Sequence, residues 1–252
     1  MPPATESQGG AGGVGIVRAD RPRAPQRARR GGAAYARTAT FPGTTVGQKV
    51  VLAITGAVFF VFVVLHLLGN LLIFAGRDAL NSYAAMLKSV PEALWLARLV
   101  LLLAVALHVL CAVEVTIRNW TARPTGYTIR TDVETNYAGR TMIITGPLIL
   151  LYVVYHLMMF TFLTTGPGYS RTDVYANVTA AFRVPAISVV YIVAMLMLGT
   201  HLYHGAWSML HSMGISNPRY RRLRRVAAPV AAILITLGYI AIPLAVLTRV
   251  LT

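Results

Sequence analysis

Five long apolar blocks, at about 46–75, 93–117, 141–164, 184–209 and 226–251, constrain this chain more than any other feature. Each is at least as long as the ~20 residues that an α-helix needs to cross the hydrocarbon core of a bilayer. The apolar residues are bunched, not spaced as one stripe of an amphipathic helix, which is the membrane pattern. Charged residues make up only 12% of the 252 residues, where a soluble domain carries about 25%. Mean hydropathy is +0.62. The predicted fold is an all-α membrane protein with five transmembrane helices, the first four forming a cofactor-binding bundle.

Residues 1–45 read as a separate basic N-terminal tail, rich in Gly, Ala, Pro and Arg. The tail is expected to be disordered at its front and to gain order towards Thr44. The first 47 residues contain no apolar core of a cleavable signal peptide. Residues 46–252 form the transmembrane domain. Pro147 and Pro185 are expected in first helical turns, and 165–168 and 217–218 read as breakers. The single cysteine, Cys111, excludes an intrachain disulfide.

The net charge of +15 raises the question of nucleic acid. Its distribution answers it, because most Lys and Arg sit beside apolar spans and no basic stripe is interleaved with aromatics. Seven Lys or Arg precede residue 48, four lie in 118–140 and five in 210–225. The alternate connections and the C-terminal end hold only Arg77, Lys88, Arg171, Arg183 and Arg249. The positive-inside rule therefore predicts a cytoplasmic N-terminus and an external C-terminus.

Four of the five apolar blocks carry histidine: His66, His108, His156, and the pair His201 and His204. Ionisable residues at such depths mark functional sites, although a single one can also serve as a hydrogen bond between helices. Helices alternate in direction, so depth is counted from the cytoplasmic end of each. At 1.5 Å per residue His66 and His156 lie roughly 27 and 22 Å in, and His108 and His201 roughly 15 and 12 Å. Helices one and three supply an outer level, helices two and four an inner one. In a four-helix bundle these partners face each other diagonally. Two imidazoles opposed in this way make a bis-histidine axial site for haem iron. Zinc wants four ligands, and each level offers two. Gly56, Gly69, Gly146, Gly199 and Gly205 either let a flat macrocycle approach the backbone or let helices pack closely.

Several motifs extend this reading. They are GQKVVLAITG at 47–56, HLLGN at 66–70, NSYAAML at 81–87, ARP at 122–124, YHL at 155–157 and HLYHGAWSMLHSMG at 201–214. Over residues 47–217 the chain resembles the single-polypeptide, five-helix, di-haem cytochrome b anchor of succinate dehydrogenases and fumarate reductases. The resemblance implies a subunit in a bacterial cell membrane that holds a flavoprotein and an iron–sulfur protein on its cytoplasmic face. That subunit relays electrons between them and quinone, here expected to be menaquinone. It implies two haem b groups, the outer on His66 and His156, the inner on His108 and His201, with His204 as an alternative ligand. No flavin or dinucleotide fingerprint is present, so dehydrogenation is assigned to another subunit.

The remaining polar residues each carry two readings. Glu114 and Arg118 are one turn apart and pair with each other, or serve as a proton relay and a propionate or quinone contact. Arg98 and Arg183 snorkel, or bind outer propionates. Trp207 and Ser208, with Glu114, are candidates for a quinone pocket. His211 is expected to be solvated or to face a partner subunit. Cys111 packs as a small hydrophobe, or joins His108, His201 and His204 around an iron–sulfur centre. Two rival functions are a His-dependent proton or metal transporter and a bare anchor without cofactor. The transporter predicts inverted repeats and broken helices, which the sequence does not display.

Overall fold

The computed structural model describes residues 43–122, 137–167, 170–212 and 221–251. The tail up to residue 42, residues 123–136 and 213–220 of the connections 118–140 and 210–225, with them the 217–218 breaker, and the His211 side chain lie outside the described residues. All regular structure among the described residues is helical.

Helix α1 (Thr45–Leu71) starts where Thr44 caps it, the Thr44 hydroxyl accepting from Gly47 N–H at 3.0 Å. It tightens into a 3₁₀ turn at Leu72–Ala75 and stops at Gly76, whose φ of 104° turns the chain away. Then follow α2 (Arg77–Lys88), α3 (Pro91–Thr121), α4 (Tyr137–Phe160), α5 (Val174–Phe182), α6 (Pro185–Ser212) and α7 (Arg221–Leu247). Five of the described helices are long and apolar enough to cross a membrane, and they coincide with the five predicted blocks. The chain is thus compatible with a multi-pass membrane protein.

Two sequence expectations change. Pro185 does open α6, but α4 begins earlier than predicted, so Pro147 lies inside it. A proline there leaves the carbonyl one turn earlier without its helical partner. The short helices α2 and α5 were not expected at all. Neither has the apolar length to span, and they form a layer at the end of the bundle opposite the start of α1, here called the far end, with Leu80, Val178 and Phe182 packed into its apolar cluster.

Packing around the bundle runs α3 to α1, α1 to α6, and α6 to α4, with α7 laid along α6 and α1. The fifth span is therefore part of the packed body. The side between α3 and α4 is the one left open, since these helices make no comparable contact. The larger buried cluster lies at the far end and includes Ile73, Leu80, Met159, Phe182, Tyr191 and Ile242. Glycines set the closest approaches. A Cβ on Gly238 would come within 2.9 Å of Leu67, and one on Gly69 would strike the Tyr83 ring. One on Gly199 would strike the Thr236 hydroxyl. The hydrogen bond from Tyr239 OH to Val63 O, 2.8 Å, joins α7 to α1. Such a bond between membrane helices is worth only about 0.6 kcal/mol, so close packing carries the association.

Polar side chains add to the apolar packing of the far layer. Asn81 donates to Asp173 at 2.9 Å and accepts from Tyr175 N–H at 3.0 Å. Asp173 also accepts from Ala176 N–H at 3.0 Å, capping α5, and faces Arg77 at 3.4 Å. The Asn81 bond, then the capped amide and Arg77, hold the Asp173 carboxyl below the ordinary carboxylate value. A group held low stabilises the fold above its unfolded-state pKa, and that contribution disappears as pH falls through the lower folded-state value. Relative to its intrinsic rate at each pH, hydrogen exchange across 174–182 should accordingly stay slow at neutral pH and accelerate only in acid. Asp173→Ala should accelerate it already at neutral pH; exchange identical to wild type would show that this network does not hold the layer.

Candidate functional site

On α3, His108 faces α1, where the Thr55 hydroxyl lies 2.9 Å from its Nδ1 and the Phe59 ring meets it edge-on at 5.5 Å. Across the bundle on α6 is His201, its ring centre 6.4 Å from that of His108, with the planes inclined at 51°. The Thr145 hydroxyl of α4 lies 3.4 Å from His201 Nδ1. These residues form the near pair.

The far pair joins α1 to α4. His66 and His156 have ring centres 6.0 Å apart and planes at 89°. Phe62 stacks on His66 at 5.3 Å, and Tyr239 lies 6.4 Å away. His156 sits among Tyr152, Phe160 and Tyr191, its Nδ1 3.3 Å from the Tyr191 hydroxyl. Eleven residues separate Thr55 from His66 on α1, and eleven separate Thr145 from His156 on α4. That is about 16 Å of helix axis, so the levels are distinct.

The pairs formed are those that depth and helix direction predicted. Of the two α6 histidines, His201 is the one that meets His108. His204, one turn on, is half-buried, and its Nδ1 has no hydrogen-bond partner among the described residues.

Whether these pairs suit a metal can be tested on their spacing and surroundings. A first-row metal–imidazole bond is about 2.0 Å, and the ring centre stands about 1.1 Å behind the nitrogen, so opposed ligands have centres roughly 6 Å apart. Both pairs meet that figure. Aromatic rings in simple contact also sit about 4.5–7 Å apart, so spacing alone does not decide. The hydroxyls add a second observation, because three of the four imidazoles engage Nδ1 and leave Nε2 for a ligand, as metal-binding histidines do. Space is the third. Apart from the helix's own backbone and the chain neighbours, no heavy atom of the described residues lies within 4 Å of a Cβ built on Gly146 or Gly205, and on Gly56 the nearest is His108 Cε1 at 3.9 Å. These three half-buried glycines sit beside the near pair. The glycines named from the sequence thus divide: Gly69 and Gly199 serve helix packing, whereas Gly56, Gly146 and Gly205 leave room.

The other candidates lie elsewhere. Arg118 is bound to Glu114 and donates to Gly43 O at 2.9 Å. The pairing of Glu114 with Arg118 is the plain interfacial one. Arg98 is exposed and stacks over Trp95 at 5.0 Å; Arg183 is exposed at the C-terminal end of α5. Among the described residues no contact joins either arginine to His66 or His156. Trp207 is 40% exposed and Ser208 half-buried on the last turns of α6. Cys111 is a half-buried free thiol. Among the described residues no three His, Cys, Asp or Glu side chains converge, so Cys111 does not gather with His108, His201 and His204.

Thr55, Thr145, Phe62 and Tyr191 were not singled out from the sequence. Thr55 and His108 are 53 residues apart, and hydroxyls on apolar helices commonly bond their own backbone, so no local signal marked them.

No known family model matches this chain, and no curated protein or solved structure is significantly similar to it.

Proposed function

We propose that this chain is the membrane-anchor, electron-transfer subunit of a succinate:menaquinone oxidoreductase, with two haem b groups inside its bundle. The observation that carries the reading is that, at each of two levels, imidazoles from diagonal helices have ring centres 6.0 and 6.4 Å apart. His108 and His201 would hold the near haem, and His66 and His156 the far one. Bound haem supplies one-electron carriers at both levels. The chain's own residues do the rest. Thr55, Thr145 and Tyr191 orient imidazoles, Phe62 and Phe59 pack against them, and the α2–α5 layer shields the far pair from water. The near end, with Arg118 and Glu114 and the basic connections, is the proposed cytoplasmic face. There a flavoprotein and an iron–sulfur subunit would dock; charge bias and the family resemblance support this.

The test is a dithionite-reduced absorption spectrum with an iron count on the purified protein. Two b-type components and two irons per chain are expected; a featureless visible region would overturn the reading in favour of a bare anchor or a transporter. Cys111→Ser should leave both the spectrum and the iron count unchanged, because serine fills a similar volume. Loss of iron in that variant would make the thiol a ligand.

A further inference from the structure

The two threonines at the near pair are placed by different helices, yet they meet the imidazoles in the same way. Thr55 Oγ1 lies 2.8 Å from Val51 O and 3.2 Å from Leu52 O, so its one hydrogen is given to its own backbone. A hydroxyl has one hydrogen to donate and two lone pairs. Towards His108 Nδ1, 2.9 Å away, it therefore accepts. Were Nδ1 the unprotonated nitrogen, two lone pairs would face each other across that distance in a half-buried site. Thr145 repeats the pattern with longer contacts, 3.5 Å to Met142 O and 3.4 Å to His201 Nδ1. His66 lacks such a partner among the described residues and rests on Phe62 instead.

We propose that Thr55 is a positioning residue that holds His108 as the Nδ1–H tautomer, leaving Nε2 unprotonated for a metal held between His108 and His201. A free imidazole in water prefers the opposite tautomer, with the hydrogen on Nε2, and in that form Nε2 cannot ligate. Thr55 thus selects the ligating form before any metal arrives and fixes the ring's rotation against α1. Its acceptance of the Nδ1 hydrogen also strengthens the imidazole as a donor, which favours the oxidised metal. The consequence for the metal rests on the haem reading above; the tautomer does not.

The experiment separates the two. In protein labelled with ¹⁵N-histidine and freed of cofactor, nitrogen shifts report the His108 tautomer, with His108→Ala identifying its signals. Wild type and Thr55→Ser should display the Nδ1–H form, and Thr55→Val should revert to Nε2–H. An unchanged tautomer in Thr55→Val overturns the proposal whether or not haem is ever found. In the haem-loaded protein, Thr55→Val should raise the midpoint of the component that depends on His108 by about tenfold in its equilibrium constant, ~59 mV for one electron. The component that depends on His66 should not move, and Thr55→Ser should restore the near midpoint. Equal movement of both components, or no rescue by serine, would make the role of Thr55 merely structural.

Discussion

His66→Ala and His156→Ala are expected to remove one and the same haem component, and His108→Ala and His201→Ala the other. An axial site needs both of its imidazoles, so losing either ligand from opposite helices should empty the same site. The two levels are separated along α1 and α4 by about 16 Å of helix axis. Changes farther apart than about 7–10 Å and without shared partners act independently. Each single variant should therefore retain the other component at close to its original midpoint, read by redox titration of the four proteins side by side. His204→Ala serves as the control that should keep both components, because His201 is the ring opposed to His108 at 6.4 Å. If His66→Ala and His108→Ala were to lose the same component while His156→Ala lost a different one, the diagonal arrangement would be wrong.

Gly205→Leu should abolish the near component while leaving the bundle as stable as before or more so. Gly205 lies one turn from His201 on the same face of α6, and a Cβ there meets nothing within 4 Å among the described residues beyond its own helix backbone. A leucine side chain would grow into that room. Leucine is a better helix former than glycine by up to about 1 kcal/mol, so a loss of pigment could not be blamed on a weakened helix. Gly199→Leu, two turns away, should behave in the opposite manner. Its side chain would meet Thr236, force α6 from α7 and lower the melting temperature, with no selective loss of one component. Gly205→Leu with an intact near component would show that the open space beside His201 is not where the ligand sits.

The sequence by itself determined the five spans. Hydropathy over a window is a local property, and it survives folding because the bilayer imposes it on each segment separately. The diagonal matching of histidines was also legible, since alternating helix direction and a fixed rise per residue convert sequence position into depth. The tie between Glu114 and Arg118 was readable as a spacing of four. What only the tertiary structure decided is whatever depends on contacts between distant segments. The far layer is tied where Asn81 and Asp173 meet across 92 residues, and no periodicity announces such a bond. Glycines identical in sequence character became packing contacts at Gly69 and Gly199 but open space at Gly146 and Gly205, according to what stood opposite. The choice of His201 over His204 followed from helix rotation, which three residues of spacing leave undetermined. Thr55 meets His108 at 2.9 Å only because α3 packs against α1. An apolar helix offers its neighbours every face equally, so its rotation is set by packing against the others and is not encoded in its own apolar pattern.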